Sequence, residues 1–258
     1  MTVIHERSYQ GFGLAQLVHR ARLRRVLRLV SNLPLPAAGT VADLGCSNGF
    51  VISQLKDNVF RNRDYRFVGF DHSPELLEVA REKRIEGATF QHFDLNRVDP
   101  AWGNRFDAVM CLETLEHVGD FRSALQNVVS MCRPGGSIII SIPNEKGLPG
   151  LLKYSVRKLL RRRAYRDFFA QQSELNYVRH LIFNLPIDKF RDPGTAGWGP
   201  HLGFDWKVFR DHLVATYVSN SSLQIVSESS SFMKFNLFYV LTKAAARASD
   251  GAEHSSGP

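Results

Sequence analysis

The stretch VADLGCSNG, residues 41–49, decides the fold, because it joins the end of an apolar run to a glycine-containing turn. Glycine lets the backbone adopt positive φ and approach a ligand closely, which is how we interpret Gly45 and Gly49. The next residues, FVISQLKD, have the pattern of a helix. In an open α/β sheet, ligands bind beyond the carboxyl ends of the strands. The stretch therefore predicts strand, turn and helix, with Asp43 at a ligand-binding edge.

The same alternation of strand and helix continues to about residue 145. Five apolar runs separated by helical patterns predict right-handed crossovers and a parallel sheet. After residue 145 the pattern breaks, and it resumes with a helix and two closely spaced strands, LQIVSES and FNLFYVLT, which can pair antiparallel. We predict an α/β, Rossmann-like, doubly wound and mostly parallel seven-stranded sheet, with an antiparallel last strand and a helical insertion after strand 5.

This pattern divides the chain into five parts. They are an N-terminal helical cap (1–40), a Rossmann-like core (41–145), a basic helical insertion or lid (146–205), a C-terminal helix with a strand pair that completes the core (206–243), and a disordered tail (244–258). Small polar residues fill the tail, and such a composition cannot form a packed core.

Composition sets the class of protein and of partner. The formal net charge of +8 favours anionic partners. The three cysteines, Cys46, Cys111 and Cys132, form no CxxC motif and cannot all pair, which is typical of a reducing compartment. No apolar signal segment opens the chain, and no apolar run is long enough to span a bilayer. We therefore expect a cytoplasmic protein, with peripheral contact to the inner face of the membrane as an option.

Carboxylates follow the first three predicted strands. Asp71 ends the second strand, 22 residues after Gly49, where a carboxylate suits the two hydroxyls of a ribose. Asp94 follows the third strand and can accept a hydrogen bond from an exocyclic amine. Together with Asp43 they predict a nucleotide-binding edge.

Five ordered stretches resemble the class I S-adenosylmethionine-dependent methyltransferases, and in particular the ubiquinone-biosynthesis O-methyltransferase group: VADLGCSNG, VGFD, FQHFDLN, FDAVMCLETLEHV and CRPGGSIIISIPN. The resemblance covers roughly 41–145. It implies S-adenosylmethionine as cofactor, with Asp43 and Gly45 near its methionine end, Asp71 at its ribose, and Asp94 and Leu95 at its adenine. The full set of cofactor-binding residues that we predict is Asp43, Gly45, Cys46, Ser47, Gly49, Asp71, His72, Asp94, Leu95 and Leu112.

Two points qualify the match. Many members have glycine where this chain has Ser47, and because serine is small we expect a tighter loop with binding retained. The alternative is a nicotinamide-binding Rossmann domain, which requires a GxGxxG motif that this sequence lacks.

The stretch CLETLEHVG, residues 111–119, carries a candidate catalytic or metal-binding set. On a helix, Glu113, Glu116 and His117 fall on one face. Such a face can hold a metal ion or supply a base, or it can be the polar start of an ordinary helix. We take His117, Glu113 and His201 as candidate catalytic residues.

ExxEH resembles two groups of methyltransferases, those of ubiquinone biosynthesis and the small-RNA 3′-end 2′-O-methyltransferases. The second resemblance implies a divalent ion, Mg²⁺ or Mn²⁺, on Glu113, Glu116, His117 and a distant histidine. His201 is the best candidate for that histidine and His180 a weaker one.

The insertion begins with the basic stretch LPGLLKYSVRKLLRRRAYR, residues 148–166. Leucines at helical spacing form an apolar stripe, and seven basic residues with no acidic one lie between Lys153 and Arg166. This stretch can be a lid helix packed on the core, a helix that lies on an anionic membrane surface, or a site that binds the phosphates of a nucleic acid or of a nucleotide-linked substrate. No RNA-binding module is recognisable, so nucleic acid ranks lowest among the partners.

The predicted function is methyl transfer from S-adenosylmethionine to an oxygen of a small-molecule, sugar or lipid-linked acceptor. The alternatives are a metal-dependent RNA 2′-O-methyltransferase and a non-catalytic scaffold that binds S-adenosylmethionine. Intact Asp43, Asp71 and Asp94 argue against the scaffold.

Overall fold

The computed structural model describes residues 14–160, 169, 172–191 and 202–245, and these form an α/β fold around one seven-stranded sheet. The spatial order of the strands is β3-β2-β1-β4-β5-β7-β6. The last strand, β7, runs antiparallel to both of its neighbours, and the other pairs are parallel. The predicted fold class is confirmed.

The elements follow the predicted order. The strands are β1 Gly39–Leu44, β2 Tyr65–Asp71, β3 Ala88–His92, β4 Phe106–Leu112, β5 Cys132–Pro143, β6 Leu223–Ser230 and β7 Asn236–Lys243. The helices are α1 Leu14–Ser31, α2 Phe50–Asn58, α3 Pro74–Glu82, α4 Phe121–Met131, α5 Gly147–Leu160, α6 Glu174–Ile182 and α7 Trp206–Leu213. None of the helices in the described part of the chain is long and apolar enough to cross a membrane.

Helices cover both faces of the sheet, because neighbouring residues of a strand point to opposite faces. Val41 of β1 packs with α1, α2 and α3, whereas Ala42 packs on the other side with α4 and α7. The central strands are therefore buried on both faces, which explains their nearly continuous apolar sequence. This arrangement holds the carboxyl ends of β1, β2, β4 and β5 rigidly at one edge.

The insertion between β5 and α7 has a small core of its own. Helices α5 and α6 pack around Tyr154, Tyr177 and Leu181, with Phe190 and Leu202 completing the cluster. Residues 161–168, 170–171 and 192–201 of the insertion lie outside the described residues, as do 1–13 and the predicted tail from 246 onward.

A buried ion pair closes the base of the insertion. Lys146 Nζ lies 2.7 Å from Asp205 Oδ2, and both side chains are almost fully buried. The same carboxylate accepts hydrogen bonds from the backbone N–H of Ile187 and from that of Lys207 in the first turn of α7. One carboxylate thus joins the start of the insertion, its interior and its end.

Replacing Lys146 with methionine should destabilise the fold strongly. The change leaves the Asp205 carboxylate buried without its cation, and breaking a buried pair in this way costs about 3–5 kcal/mol. Urea unfolding should show this loss, and the exposed Lys207→Met should shift the free energy of unfolding by less than about 1 kcal/mol. A loss below about 1 kcal/mol in Lys146→Met would contradict this role for the pair.

Candidate functional site

Two buried carboxylates lie at the carboxyl ends of neighbouring strands. Asp43 is the next-to-last residue of β1, and Asp71 is the last residue of β2. The two strands are paired in parallel. Burial and the negative charge of Asp71 raise the pKa of Asp43 to about 7. A buried acid whose pKa is raised by a second acid is typical of a ligand site rather than of a structural core.

The turn after β1 approaches other parts of the protein closely. Gly45 has a φ of +82°, and a Cβ atom there would lie 2.2 Å from Thr114 Oγ1, so no larger residue fits. Ser47, where the resemblance leads one to expect glycine, also has a positive φ, +52°. The serine therefore keeps the backbone conformation that glycine adopts easily, and the shape of the turn survives the substitution.

A hydrogen bond joins this turn to the end of β2. The backbone N–H of Ser47 donates to Asp71 Oδ2 at 2.8 Å, and the N–H of Ser73 donates to Asp71 Oδ1 at 3.0 Å. His72 Nδ1 lies 3.3 Å from the same carboxylate. The side chain of Asp71 is thus oriented on two sides before any ligand arrives.

A cleft lies between α1 and these strand ends. The space among its lining residues is about 600 Å³, a figure that includes the open mouth of the cleft. The hydroxyl of Ser47 is buried and has no hydrogen-bond partner among the described residues, so it is available to a ligand. The lining residues are Arg22, Leu23, Val26, Asp43, Gly45, Cys46, Ser47, Asn48, Phe50, Val51, Leu112, Glu113 and Ser141.

The predicted cofactor residues fall into two groups. Asp43, Gly45, Cys46, Ser47 and Leu112 line the cleft, and Gly49 precedes α2 beneath it. Asp94 and Leu95 do not line it: the carboxylate of Asp94 accepts hydrogen bonds from Asn96, and Leu95 is part of the core. Their assignment to the adenine stays a prediction, as do the roles of Asp71 and His72.

The segment after β4 is a turn and not the helix that the ExxEH spacing presupposes. Residues 113–119 contain no helical turn of the α type, and Glu113 has a left-handed φ of +52°. Its N–H donates to the carbonyl of Ser141 at 2.9 Å, so the chain remains hydrogen-bonded to β5 for one residue beyond β4 before it turns. Glu113, Glu116 and His117 therefore do not share one helical face.

Glu113 is held in place by residues from three other elements. Its carboxylate accepts hydrogen bonds from Ser141 Oγ at 2.8 Å and from Asn236 Nδ2 at 2.5 Å. Arg22 Nη1 of α1 lies 3.5 Å away. Arg22 was missed at the sequence level, where it is one of many arginines on the polar side of a helix.

Glu116 and His117 form a pair with unequal access to solvent. Glu116 is 3% exposed, and burial together with the charge of Glu113 raises its pKa well above its ordinary value. The Nε2 atom of His117 lies 4.0 Å from Glu116 Oε1, and the imidazole is 39% exposed. Of the two, only the histidine is accessible to an acceptor.

A metal site is not evident within the part of the chain that the structure describes. No three His, Cys, Asp or Glu side chains there are grouped to hold an ion. His201 lies outside the described residues. His180 is buried in the insertion, where its Nδ1 pairs with the carbonyl of Asn176 and its ring packs on Phe190, so it is a core residue.

Comparison with known proteins agrees with this geometry. Residues 42–140 match a family described as "Methyltransferase domain". A ubiquinone biosynthesis O-methyltransferase of Xanthomonas axonopodis is 31% identical over 121 residues, 46% of this chain and 48% of the relative. A trans-aconitate 2-methyltransferase of Paracidovorax citrulli is 31% identical over 128 residues, 50% of this chain and 48% of the relative. The chain thus spans about half the length of these curated relatives.

Residues 42–140 form a class I methyltransferase domain.

A solved structure shows that the likeness of fold extends further than the matched sequence. The magnesium protoporphyrin IX methyltransferase of Synechocystis PCC 6803, solved with bound SAH, superposes with a TM-score of 0.58. The superposition covers 93% of this chain and 93% of that protein, and the two sequences are 17% identical. The likeness of fold to that protein therefore extends well beyond residues 42–140.

The residues of the cleft fit S-adenosylmethionine, the cofactor of this class. The turn at Gly45 and Ser47 lines the cleft, and the Ser47 hydroxyl has no hydrogen-bond partner among the described residues. Asp43 supplies an acceptor in the cleft, and Asp71 supplies one at the neighbouring strand end. Two buried carboxylates also suit a ligand that carries a positively charged sulfonium.

Replacing Asp71 with asparagine should weaken binding of S-adenosylmethionine about ten- to hundredfold. Hydrogen bonds to a charged group contribute about 1.5–3 kcal/mol, and this carboxylate is the acceptor that we assign to the ribose. Calorimetric titration checks the affinity, with the exposed Asp57→Asn as the matched control. Equal affinity in the two variants, both folded, would remove Asp71 from the site.

Affinity for S-adenosylmethionine should rise by about eightfold between pH 6 and pH 7.5. At pH 6 Asp43 holds a proton, because its pKa is raised to about 7, and a cationic ligand nearby must displace that proton. Titrations at pH 7 in buffers of different ionisation enthalpy should show proton release, and Asp43→Asn should abolish it. Proton uptake, or no exchange in the wild type, would contradict this assignment.

Proposed function

We propose that this protein transfers the methyl group of S-adenosylmethionine to an oxygen of a small or lipid-linked acceptor. The observation that carries the proposal is the cleft beneath α1, which is lined by the buried Asp43 and by the turn at Gly45 and Ser47, with the N–H of Ser47 orienting Asp71. Two relatives whose names give different acceptors are each 31% identical to about half of this chain, which supports the reaction class and leaves the acceptor to experiment.

The protein contributes alignment to this reaction. S-adenosylmethionine supplies an activated methyl group on a sulfonium, and its transfer is an in-line displacement that needs little covalent help. Holding the nucleophile in line with the methyl group supplies most of the acceleration. The rigid carboxyl edge of the sheet, with Asp43 and Asp71 on it, suits that task.

Arg22 and Glu113 line the same cleft and set its charge. The guanidinium of Arg22 reaches from α1 and can pair with the carboxylate of the methionine part of the cofactor. Glu113 holds Arg22 in place from the opposite wall at 3.5 Å. We propose that Arg22 fixes the cofactor and that Glu113 positions Arg22.

His117 is the base that we propose for a hydroxyl acceptor. It follows β4 at the same edge as the cleft, it is partly exposed, and the buried Glu116 lies behind its ring. A hydroxyl must lose its proton as the methyl group arrives, and a positioned base contributes about 10²–10⁴-fold to the rate. A neutral imidazole can accept that proton, whereas Glu116 is buried away from an acceptor.

His117→Ala should lower kcat about 10²–10⁴-fold and flatten the acid limb of the kcat profile, with the affinity for S-adenosylmethionine unchanged. The exposed His92→Ala serves as control. The assay follows transfer from isotope-labelled S-adenosylmethionine to phenolic quinone precursors, to trans-aconitate and to extracted lipids. Full activity in His117→Ala would exclude this histidine as the base.

Exhaustive chelation is the second arm of that assay. If His117 acts as a base, activity should survive the chelator. If Glu113, Glu116, His117 and His201 instead hold a divalent ion, activity should vanish and return with Mg²⁺ or Mn²⁺, and the proposal of a metal-free base would fall. No labelled product from any acceptor, with cofactor binding intact, would favour the scaffold.

A further inference from the structure

Helix α5 turns an apolar face away from the protein. Leu148, Leu152, Val156 and Leu159 are 74%, 40%, 48% and 67% exposed. Their spacing of four, four and three residues places them on one face of the helix. A surface helix in water normally does the reverse and packs its apolar face on the core. We call these four residues the outer face of α5.

Ion pairs on the opposite side hold α5 in this orientation. Lys153 and Arg157 reach inward to Glu145, which is 2% exposed, at 3.1 Å and 2.8 Å. Tyr154 is buried in the core of the insertion, and its hydroxyl pairs with Glu174 of α6. Rotating the helix to bury its leucines would leave Glu145 buried without a cation, which is strongly unfavourable.

Other apolar side chains of the same region are also exposed. Ile182, Phe183 and Leu185, at the end of α6, are 56%, 66% and 37% exposed. Met233, in the turn between β6 and β7, is 48% exposed, and that turn is tied to α5 because Lys153 Nζ donates to the carbonyl of Phe235. Apolar exposure concentrated in one region marks an interaction surface.

Charge and size point to lipid as the occupant. Helix α5 contains no acidic residue, and the sequence from Lys153 to Arg166 has seven basic residues and no acidic one. Lys153, Arg157 and Lys158 pair with Glu145 and Glu174, and the other four basic residues, Arg161, Arg162, Arg163 and Arg166, follow α5 in the sequence. An apolar face followed in sequence by a run of arginines matches the chemistry of an anionic bilayer surface. A specific protein interface buries about 800 Å² on each partner, which is more than one helix of about 21 Å with four aliphatic side chains offers.

We infer that the outer face of α5 docks on the surface of an anionic lipid bilayer, with its leucines inserted among the acyl chains near the headgroups. Helix α5 begins four residues after β5 ends, at the edge of the sheet where the cleft lies. The inference concerns binding alone and holds whichever acceptor the protein uses.

The test compares two matched pairs of substitutions in the full chain. Leu152→Ser with Leu159→Ser changes the outer face, and Val98→Ser with Val226→Ser changes two side chains that are 45% and 58% exposed elsewhere. Each protein is sedimented with vesicles of phosphatidylcholine, with or without phosphatidylglycerol, at low and high salt. Titration with S-adenosylmethionine on each variant reports on the cofactor site separately.

Wild type and the control pair should bind vesicles that contain phosphatidylglycerol, weakly bind neutral ones, and lose binding in high salt. The affinity of the leucine pair for these vesicles should fall at least about tenfold, because serine does not replace the apolar surface that each leucine buries in the lipid. No binding by wild type at low salt, equal binding by the leucine pair, or a dimer that depends on Leu152 and Leu159 in place of vesicle binding would overturn the inference.

Discussion

The hydrogen bond from the N–H of Ser47 to Asp71 is the contact on which the site depends. It ties the turn after β1 to the end of β2 at 2.8 Å, and it forms only because the two strands are parallel neighbours. Asp43 lies at the end of the neighbouring strand, where burial and, to a smaller extent, the charge of Asp71 raise its pKa to about 7. Right-handed crossovers thus place two acids in one buried pocket, and that placement is costly unless a ligand uses it.

Buried charged groups also determine the structure of the insertion. The Lys146–Asp205 pair closes its base, and the Glu145 cluster sets the rotation of α5. Both sets of contacts begin within three residues of the end of β5, so the sheet that builds the cleft also determines which side of α5 faces outward. The contacts that orient α5 therefore start at the same end of β5 as the cleft residue Ser141.

Local pattern and resemblance predicted the fold, and five of the ten predicted cofactor residues line the cleft, while their roles stay predictions. Strand periods, the N-cap at Ser73 and the turn at Gly45 are local features, and the predicted sheet is confirmed. Three features depend on contacts distant in sequence and were not predictable: the turn at Glu113, which bonds to Ser141, the position of Arg22 in the cleft, and the outward face of α5. The leucine stripe was visible in the sequence, but the burial of Glu145 that orients it was not.

Titration calorimetry of the wild-type chain with S-adenosylmethionine tests the central claim most directly. The account predicts saturable binding of one molecule per chain, with a Kd in the usual range of enzyme ligands, about 1 μM to 1 mM, and competition by S-adenosylhomocysteine. A folded chain that gives no binding signal across that range, or that binds a nicotinamide dinucleotide in its place, would contradict the account.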